Sequence, residues 1–130
     1  MIDPITDTLN RIKNAQAVSQ QTVKIPFSKI NLKLIDILKD KGFILDFKKV
    51  GLKKDRTIRI NLKYDTNKKP AISGFKRVSK PGQRIYKKVK EIGRVKGGMG
   101  MGIISTSKGL MTDKEARKEK IGGEVVCEIW

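Results

Sequence analysis

Near Phe43 the spacing of the apolar residues changes from a helical repeat to strict alternation, which confines the chain to folds that mix helix and strand. Upstream, Ile5, Leu9, Ile12 and Ala15 recur three or four residues apart, with Asn10, Arg11 and Asn14 off that stripe. Asp3-Pro4 supplies the start, an acidic cap followed by a residue whose φ is already helical, and the pattern ends near Ser19. A short extended piece, Thr22 to Ile25, stops at Pro26. Ser28 then caps a second helix whose apolar face is Ile30, Leu34, Ile35 and Leu38, and Gly42 suits the left-handed residue that ends it. Beyond it, Phe43, Leu45 and Phe47 alternate with Ile44, Asp46 and Lys48. After a turn over Gly51 to Asp55, the run Ile58, Ile60, Leu62 and Tyr64 alternates with Arg59, Asn61 and Lys63. That pattern predicts a hairpin with one buried face and one basic, wet face. Residues 1–65 thus read as helix, strand, helix, strand, strand, a small α+β lobe.

Asp65 to Pro70, DTNKKP, is rich in turn formers and charge, and residues 66–70 are expected to be a linker. Residues 71–130 have a different texture. Ile72, Phe75 and Val78 sit among lysines, Pro81-Gly82 makes a turn, and Gln83 to Lys88 resumes strand character around Ile85 and Tyr86. Gly93 to Gly102 holds too many glycines for a helix and predicts a tight loop. Thr112 to Glu115 has the S/T-x-x-E spacing of a capping box, so a short helix should run from Asp113 to about Lys120. Gly122-Gly123 breaks it, and Glu124 to Trp130 alternates into a final strand. The second lobe is therefore mostly β with one short helix, and no internal repeat is visible. The fold class is α+β in two small lobes.

Charge narrows the function. The chain carries 30 Lys and Arg against 13 Asp and Glu, a formal +17, with 38% apolar residues. Residues 1–65 hold 14 basic and 7 acidic groups, +7, and residues 66–130 hold 16 and 6, +10. Both halves are basic, so this is no neutral domain with a positive tail. Such a chain repels itself unless a polyanion neutralises it, and nucleic acid is the leading partner. A membrane is not expected, because no apolar run approaches the roughly 18 residues a spanning helix needs. Met1 leads into Asp3-Pro4 without a basic segment and an apolar stretch, so no secretory signal is expected either. Cys127 is the only cysteine, which excludes an intrachain disulfide, fits a reducing cytoplasm, and reads as a small buried residue.

The most unusual stretch is GIISTSKGLMTDKEAR, Gly102 to Arg117, where Ile103 and Ile104 run into three successive hydroxyls, Ser105, Thr106 and Ser107. Ser105 and Lys108 have the S-x-x-K spacing of serine acylases. That chemistry needs both on one helical turn, which Gly109 and the isoleucines oppose, and the chain has no histidine to act as base. The glycines of Gly97 to Gly102 lack a following G-K-[ST] and lead into a strand, so they form neither a Walker A loop nor a dinucleotide fingerprint. With no His and one Cys, no zinc set can be assembled, and neither cofactor nor metal is expected. What remains is contact with nucleic acid. The hydroxyls suit the shallow minor groove of an RNA helix, where short side chains meet 2′-hydroxyls and displaced bases. Tyr86 is either a stacking platform for a splayed base or an ordinary strand aromatic on the core. Lys53-Lys54, Lys68-Lys69 and Lys87-Lys88 are phosphate contacts or simply a solvated face. A generic basic DNA binder shares the charge but has no use for the hydroxyl run.

STSKGLMTDKEAR followed by GGEVVCEIW resembles the C-terminal signature of the bacterial small-subunit ribosomal protein eight family. DPITDTLNRIKNAQ is similar to that family's opening helix, and GFKRVSKPGQRIYKKVKEI to its linker and first C-terminal strands, so the likeness spans the chain in the right order. The resemblance implies a non-enzymatic ribosomal protein of the cytoplasm, monomeric outside the ribosome. It implies direct binding to the central domain of 16S rRNA, help in assembling the platform, contact with neighbouring small-subunit proteins, and repression of its own operon mRNA. It places the RNA-contacting loop on Ser105, Thr106 and Ser107, supported by Gly123, Glu124 and Tyr86, with Lys87, Lys88 and Lys108 beside them. In the first lobe it implies backbone contacts from Arg11, Lys13 and Asn14, joined by Lys29 and Lys54. Glu124 would repel phosphate, so it is expected to orient the hydroxyls or to accept from a base or 2′-hydroxyl. Where the family usually has proline after E-I, this chain has Gly93.

Overall fold

A computed structural model of the chain describes residues 3–130 and divides into two compact units, Asp3–Ile72 and Ser73–Trp130. The break between units falls after Ile72. Residues 66–70 are held in a turn within the first unit. There, the Asp65 carboxylate accepts from the backbone N–H groups of Asn67 and Lys69, both at 2.8 Å, and Tyr64 bridges to Pro70.

The first unit contains α1 (Asp3–Ala17), β1 (Thr22–Pro26), α2 (Lys29–Asp40), β2 (Ile44–Val50) and β3 (Thr57–Leu62). The expected cap at Asp3 depends on a side chain outside the described residues. β3 is the central strand of an antiparallel sheet in the order β1-β3-β2. Ile5, Leu9, Ile12 and Ala15 of α1, Leu34, Ile35 and Leu38 of α2, and Ile58, Ile60 and Leu62 of β3 are all buried, as their spacing requires. Ser28 caps α2 through its Oγ, which accepts from Asn31 N at 3.1 Å, and Gly42 takes a left-handed φ of 81°. A polar pin locks the helices together inside the core. Thr8 Oγ1 donates to Asn31 Oδ1 at 2.9 Å, and Asn31 Nδ2 donates to Pro26 O at 3.0 Å, so Asn31 ties α1, α2 and the end of β1.

One expectation fails in β2. Phe43, Leu45 and Phe47 do not form its buried face. Ile44 is in the core, Leu45 is 58% exposed and Phe43 and Phe47 are half-buried. The cause is a β-bulge: Ile44 pairs with Leu62 but Asp46 with Asn61, so Leu45 is the extra residue and the alternation reverses at it. Tyr64 likewise lies beyond β3 rather than in it.

The second unit holds β4 (Phe75–Arg77), β5 (Tyr86–Lys87), β6 (Met101–Thr106), β7 (Gly109–Thr112), α3 (Asp113–Glu119) and β8 (Gly123–Ile129). β8 is the spine. One edge pairs with β6, which pairs in turn with β7; the other edge is shared, β4 along Cys127 to Ile129 and β5 along Gly123 and Glu124. All pairs are antiparallel. α3 begins where expected, with Thr112 Oγ1 accepting from Glu115 N at 3.1 Å. Its Ala116 packs with Ile92, Ile104, Met111 and Val125 in the core of the unit. The glycine-rich loop is shorter than the composition suggests, because Met101 and Gly102 already belong to β6. Gly102 N donates to the buried Asp113 carboxylate at 2.9 Å, and Arg117 grips the same carboxylate at 2.8 Å, which fixes the start of β6 to α3.

Candidate nucleic-acid interface

The hydroxyl run sits at the tip of the β6–β7 hairpin, where side chains cannot all be buried. Ile103 and Ile104 are in the core, and the chain emerges at Ser105. Ser107 and Lys108 form the turn with ordinary backbone angles. The left-handed step falls on Gly109, φ 101°, directly after the turn, a conformation that glycine adopts without strain. Ser105 and Ser107 are exposed, and their hydroxyls have no hydrogen-bond partner among the described residues. Thr106 differs. Its Oγ1 donates to Gly109 O at 2.9 Å and accepts from Lys108 N at 3.1 Å, so this hydroxyl closes the turn. The three are therefore two free donors and acceptors held apart by one structural hydroxyl.

Register brings the other residues alongside. Ser105 pairs with Glu124, and Glu124 pairs with Tyr86, so the three form a row across β6, β8 and β5. Directly opposed residues of antiparallel strands share a face. Tyr86 is 69% exposed, so it is not packed on the core. Lys87, Lys88 and Lys108 are exposed as well, Lys87 next to Tyr86 in β5 and Lys108 in the hairpin turn. Lys88 is fixed by Glu91, whose carboxylate accepts from Lys88 N at 2.9 Å, and Lys108 Nζ lies 3.9 Å from a Glu119 carboxylate oxygen.

Gly122-Gly123 makes the row possible. A Cβ on Gly123 would sit 2.3 Å from Ser105 O, and one on Gly122 would sit 2.5 Å from Lys87 O. Each glycine lets a neighbouring backbone approach, β6 on one side and β5 on the other. Gly123 thus supports the loop through packing.

The Glu124 side chain makes no hydrogen bond to the serines. Its carboxylate, 13% exposed, takes an ion pair from Arg84, with Nη1 to Oε2 at 3.2 Å. Arg84 is absent from the residues expected at the site. Its signal in the sequence was position: a basic residue two places before Tyr86 in the segment that leads into β5.

The residues expected in the first unit form a separate group. Arg11, Lys13 and Asn14 are exposed on α1, and Lys54 is exposed in the turn between β2 and β3. Lys29 lines a groove of about 430 Å³ with Leu32, Lys33, Asp36, Phe47 and Lys49.

Catalysis finds no footing. Ser105 is in an extended strand and Lys108 in a turn, so the helical arrangement that S-x-x-K chemistry needs does not form. Cys127 is buried, and burial first, then the charge of Glu128, pushes its thiol up to about 12, well outside the range of a reactive thiolate. No group of His, Cys, Asp and Glu among the described residues could hold a metal, and no described helix is long and apolar enough to cross a membrane.

Residues 3–130 match the family described as ribosomal protein S8. The chain is 53% identical over 130 residues to small ribosomal subunit protein uS8 of Natranaerobius thermophilus, covering 100% of this chain and 98% of that protein. It is 54% identical over 130 residues to the uS8 protein of Desulforudis audaxviator, covering 100% and 99%. The uS8 protein of Halalkalibacterium halodurans is 49% identical over 130 residues, covering 100% and 98%.

Proposed function

The chain belongs to the ribosomal protein S8 family, and from that premise we propose that its second unit grips a distorted RNA helix through the row Tyr86, Glu124 and Ser105 and the hairpin tip at Ser107. It is a structural, non-enzymatic protein of the small ribosomal subunit and works on the ribosome in the cytoplasm. The RNA we assign to the interface is the central domain of 16S rRNA, bound directly so that the platform can assemble around it. The same surface serves to bind the protein's own operon mRNA where that message presents a similar helix.

The observation that carries this reading is the exposure of Ser105 and Tyr86 in one row across the sheet and of Ser107 at the adjoining hairpin tip, over a closely packed backbone. Two short hydroxyls and an aromatic ring give hydrogen bonding and stacking at close range, which suits a shallow groove with 2′-hydroxyls and a displaced base. Lys87, Lys88 and Lys108 add affinity that salt weakens. Arg11, Lys13, Asn14, Lys29 and Lys54 offer a second set of backbone contacts on the first unit.

Equilibrium binding to a central-domain rRNA fragment and to a duplex DNA, each titrated with salt, tests this. Strong preference for the RNA is expected, and Ser107→Ala should lower that affinity without changing the salt slope. Lys88→Ala should instead flatten the slope by roughly one. Equal binding to both nucleic acids with equally steep slopes would reduce the protein to a generic basic binder.

A further inference from the structure

We infer that Arg84 is a phosphate-binding residue of this surface and that Glu124 is the positioning residue that aims it. The inference rests on the proposed RNA-binding function and adds to it a residue and a role. Glu124 raises the question: a carboxylate lies in the middle of a face that should receive a polyanion, between Tyr86 and Ser105 in register. Left bare, it would push phosphate away. It is not bare. Arg84, in the segment just before β5, reaches it at 3.2 Å, and Val125 N donates to Ile85 O at 2.9 Å to hold that segment against β8.

The two partners are not equivalent. The Glu124 side chain is 13% exposed and Arg84 is 41% exposed, so the carboxylate is the more buried partner and the arginine is the one that solvent reaches. A guanidinium carries five N–H donors in a rigid fork. One is given to Glu124, and the others have no hydrogen-bond partner among the described residues. Held at one corner by Glu124, the fork can bind a phosphate oxygen with its remaining donors. A lysine at this point would carry the charge without the fixed plane. Tyr86 stands two residues away, so the phosphate taken by Arg84 belongs beside the base stacked on Tyr86. Affinity and register would then be set together, with the guanidinium's order prepared before RNA arrives.

The test measures the dissociation constant of the full chain for a central-domain rRNA fragment across a KCl series. The proteins compared are the wild type, Arg84→Gln, Glu124→Gln and the double variant, with Ser107→Ala and a duplex DNA alongside. Arg84→Gln should weaken binding about tenfold and reduce the steepness of the salt dependence by about 0.7 to 0.9, one phosphate's worth. Glu124→Gln should weaken binding severalfold with the slope unchanged, because the charge remains but is no longer aimed. The double variant should bind no worse than Arg84→Gln, since nothing is left to aim and the bare carboxylate is gone. Should Arg84→Gln lose its fold, as judged by circular dichroism, Arg84→Met gives the same readout with a neutral side chain of similar length. The inference is overturned by an unchanged slope in the neutral variant, by additive losses in the double variant, or by tighter binding in Glu124→Gln. Wild type with no preference for the RNA would overturn the RNA reading itself. RNA preference with an unmoved slope would overturn only the role given to Arg84.

Discussion

Replacing Gly123 with alanine places a methyl carbon 2.3 Å from Ser105 O and 3.1 Å from Ser105 C, where ordinary contact begins at 3.4 Å. β6 must therefore retreat from β8 by about 1 Å, out of a normal strand spacing of about 4.8 Å. That movement strains a packed sheet by about 1–3 kcal/mol and loosens one or two ladder hydrogen bonds of about 0.5–1.5 kcal/mol each. Alanine returns about 0.4–1 kcal/mol by restricting the unfolded chain. The net expectation is a loss of about 2–3 kcal/mol. Urea unfolding followed by circular dichroism and by the fluorescence of Trp130, the sole tryptophan, measures it. Gly93→Ala is the control: nothing lies within 4 Å of its Cβ and its φ is outside the left-handed region, so it should leave stability unchanged or slightly raised. RNA affinity should fall in Gly123→Ala with the salt slope kept, because the serine row moves while the lysines stay. The reasoning is refuted if Gly123→Ala unfolds within about 0.5 kcal/mol of wild type, the range of an ordinary surface change.

Three further outcomes follow from single contacts. Thr106→Ala removes both hydrogen bonds that close the hairpin and should cost about 1 kcal/mol in urea unfolding, while Thr106→Ser keeps them and should not. Asp113→Ala strips a buried Gly102 N–H and Arg117 of their shared acceptor and should cost about 2–4 kcal/mol, with Asp113→Asn recovering part of that. Cys127 should resist a thiol reagent at neutral pH until denaturant is added. Its thiol is raised from an ordinary 9.0 to about 12, so the neutral form is favoured by folding; the stability it confers is full below pH 9 and fades as pH climbs toward 12.

The caps and periods were legible because each is a local matter. Ser28, Gly42 and Thr112 act within four residues of themselves, and the stripes Ile5 to Ala15 and Ile58 to Leu62 report a face that one lobe buries. The β2 face was not legible, because a bulge at Leu45 inverts the alternation and Leu45 itself is as apolar as its neighbours. At the site, the hydroxyl run stood out where a strand ends, but the hairpin was not legible, because β7 is four residues long and merges into the cap of α3. Nor could the hydroxyl that closes the turn be read, since that depends on Thr106 meeting Gly109 O across the strands. Glu124 and Arg84 are 40 residues apart in sequence, and only the pairing of β5 with β8 makes them partners. Gly122-Gly123 reads as a helix breaker in one dimension; in three it is the gap through which two backbones approach.

The central claim, that polar groups at the hairpin tip and its neighbouring strands meet the RNA directly, is tested most directly by titrating isotope-labelled protein with a central-domain rRNA fragment and following the backbone amides by NMR. The largest changes should fall on Ser105 to Lys108, Tyr86, Gly123 and Glu124, and those at the tip should shrink in Ser107→Ala. If these amides stay in place while binding is complete, the tip does not touch the RNA and the proposed mechanism is wrong.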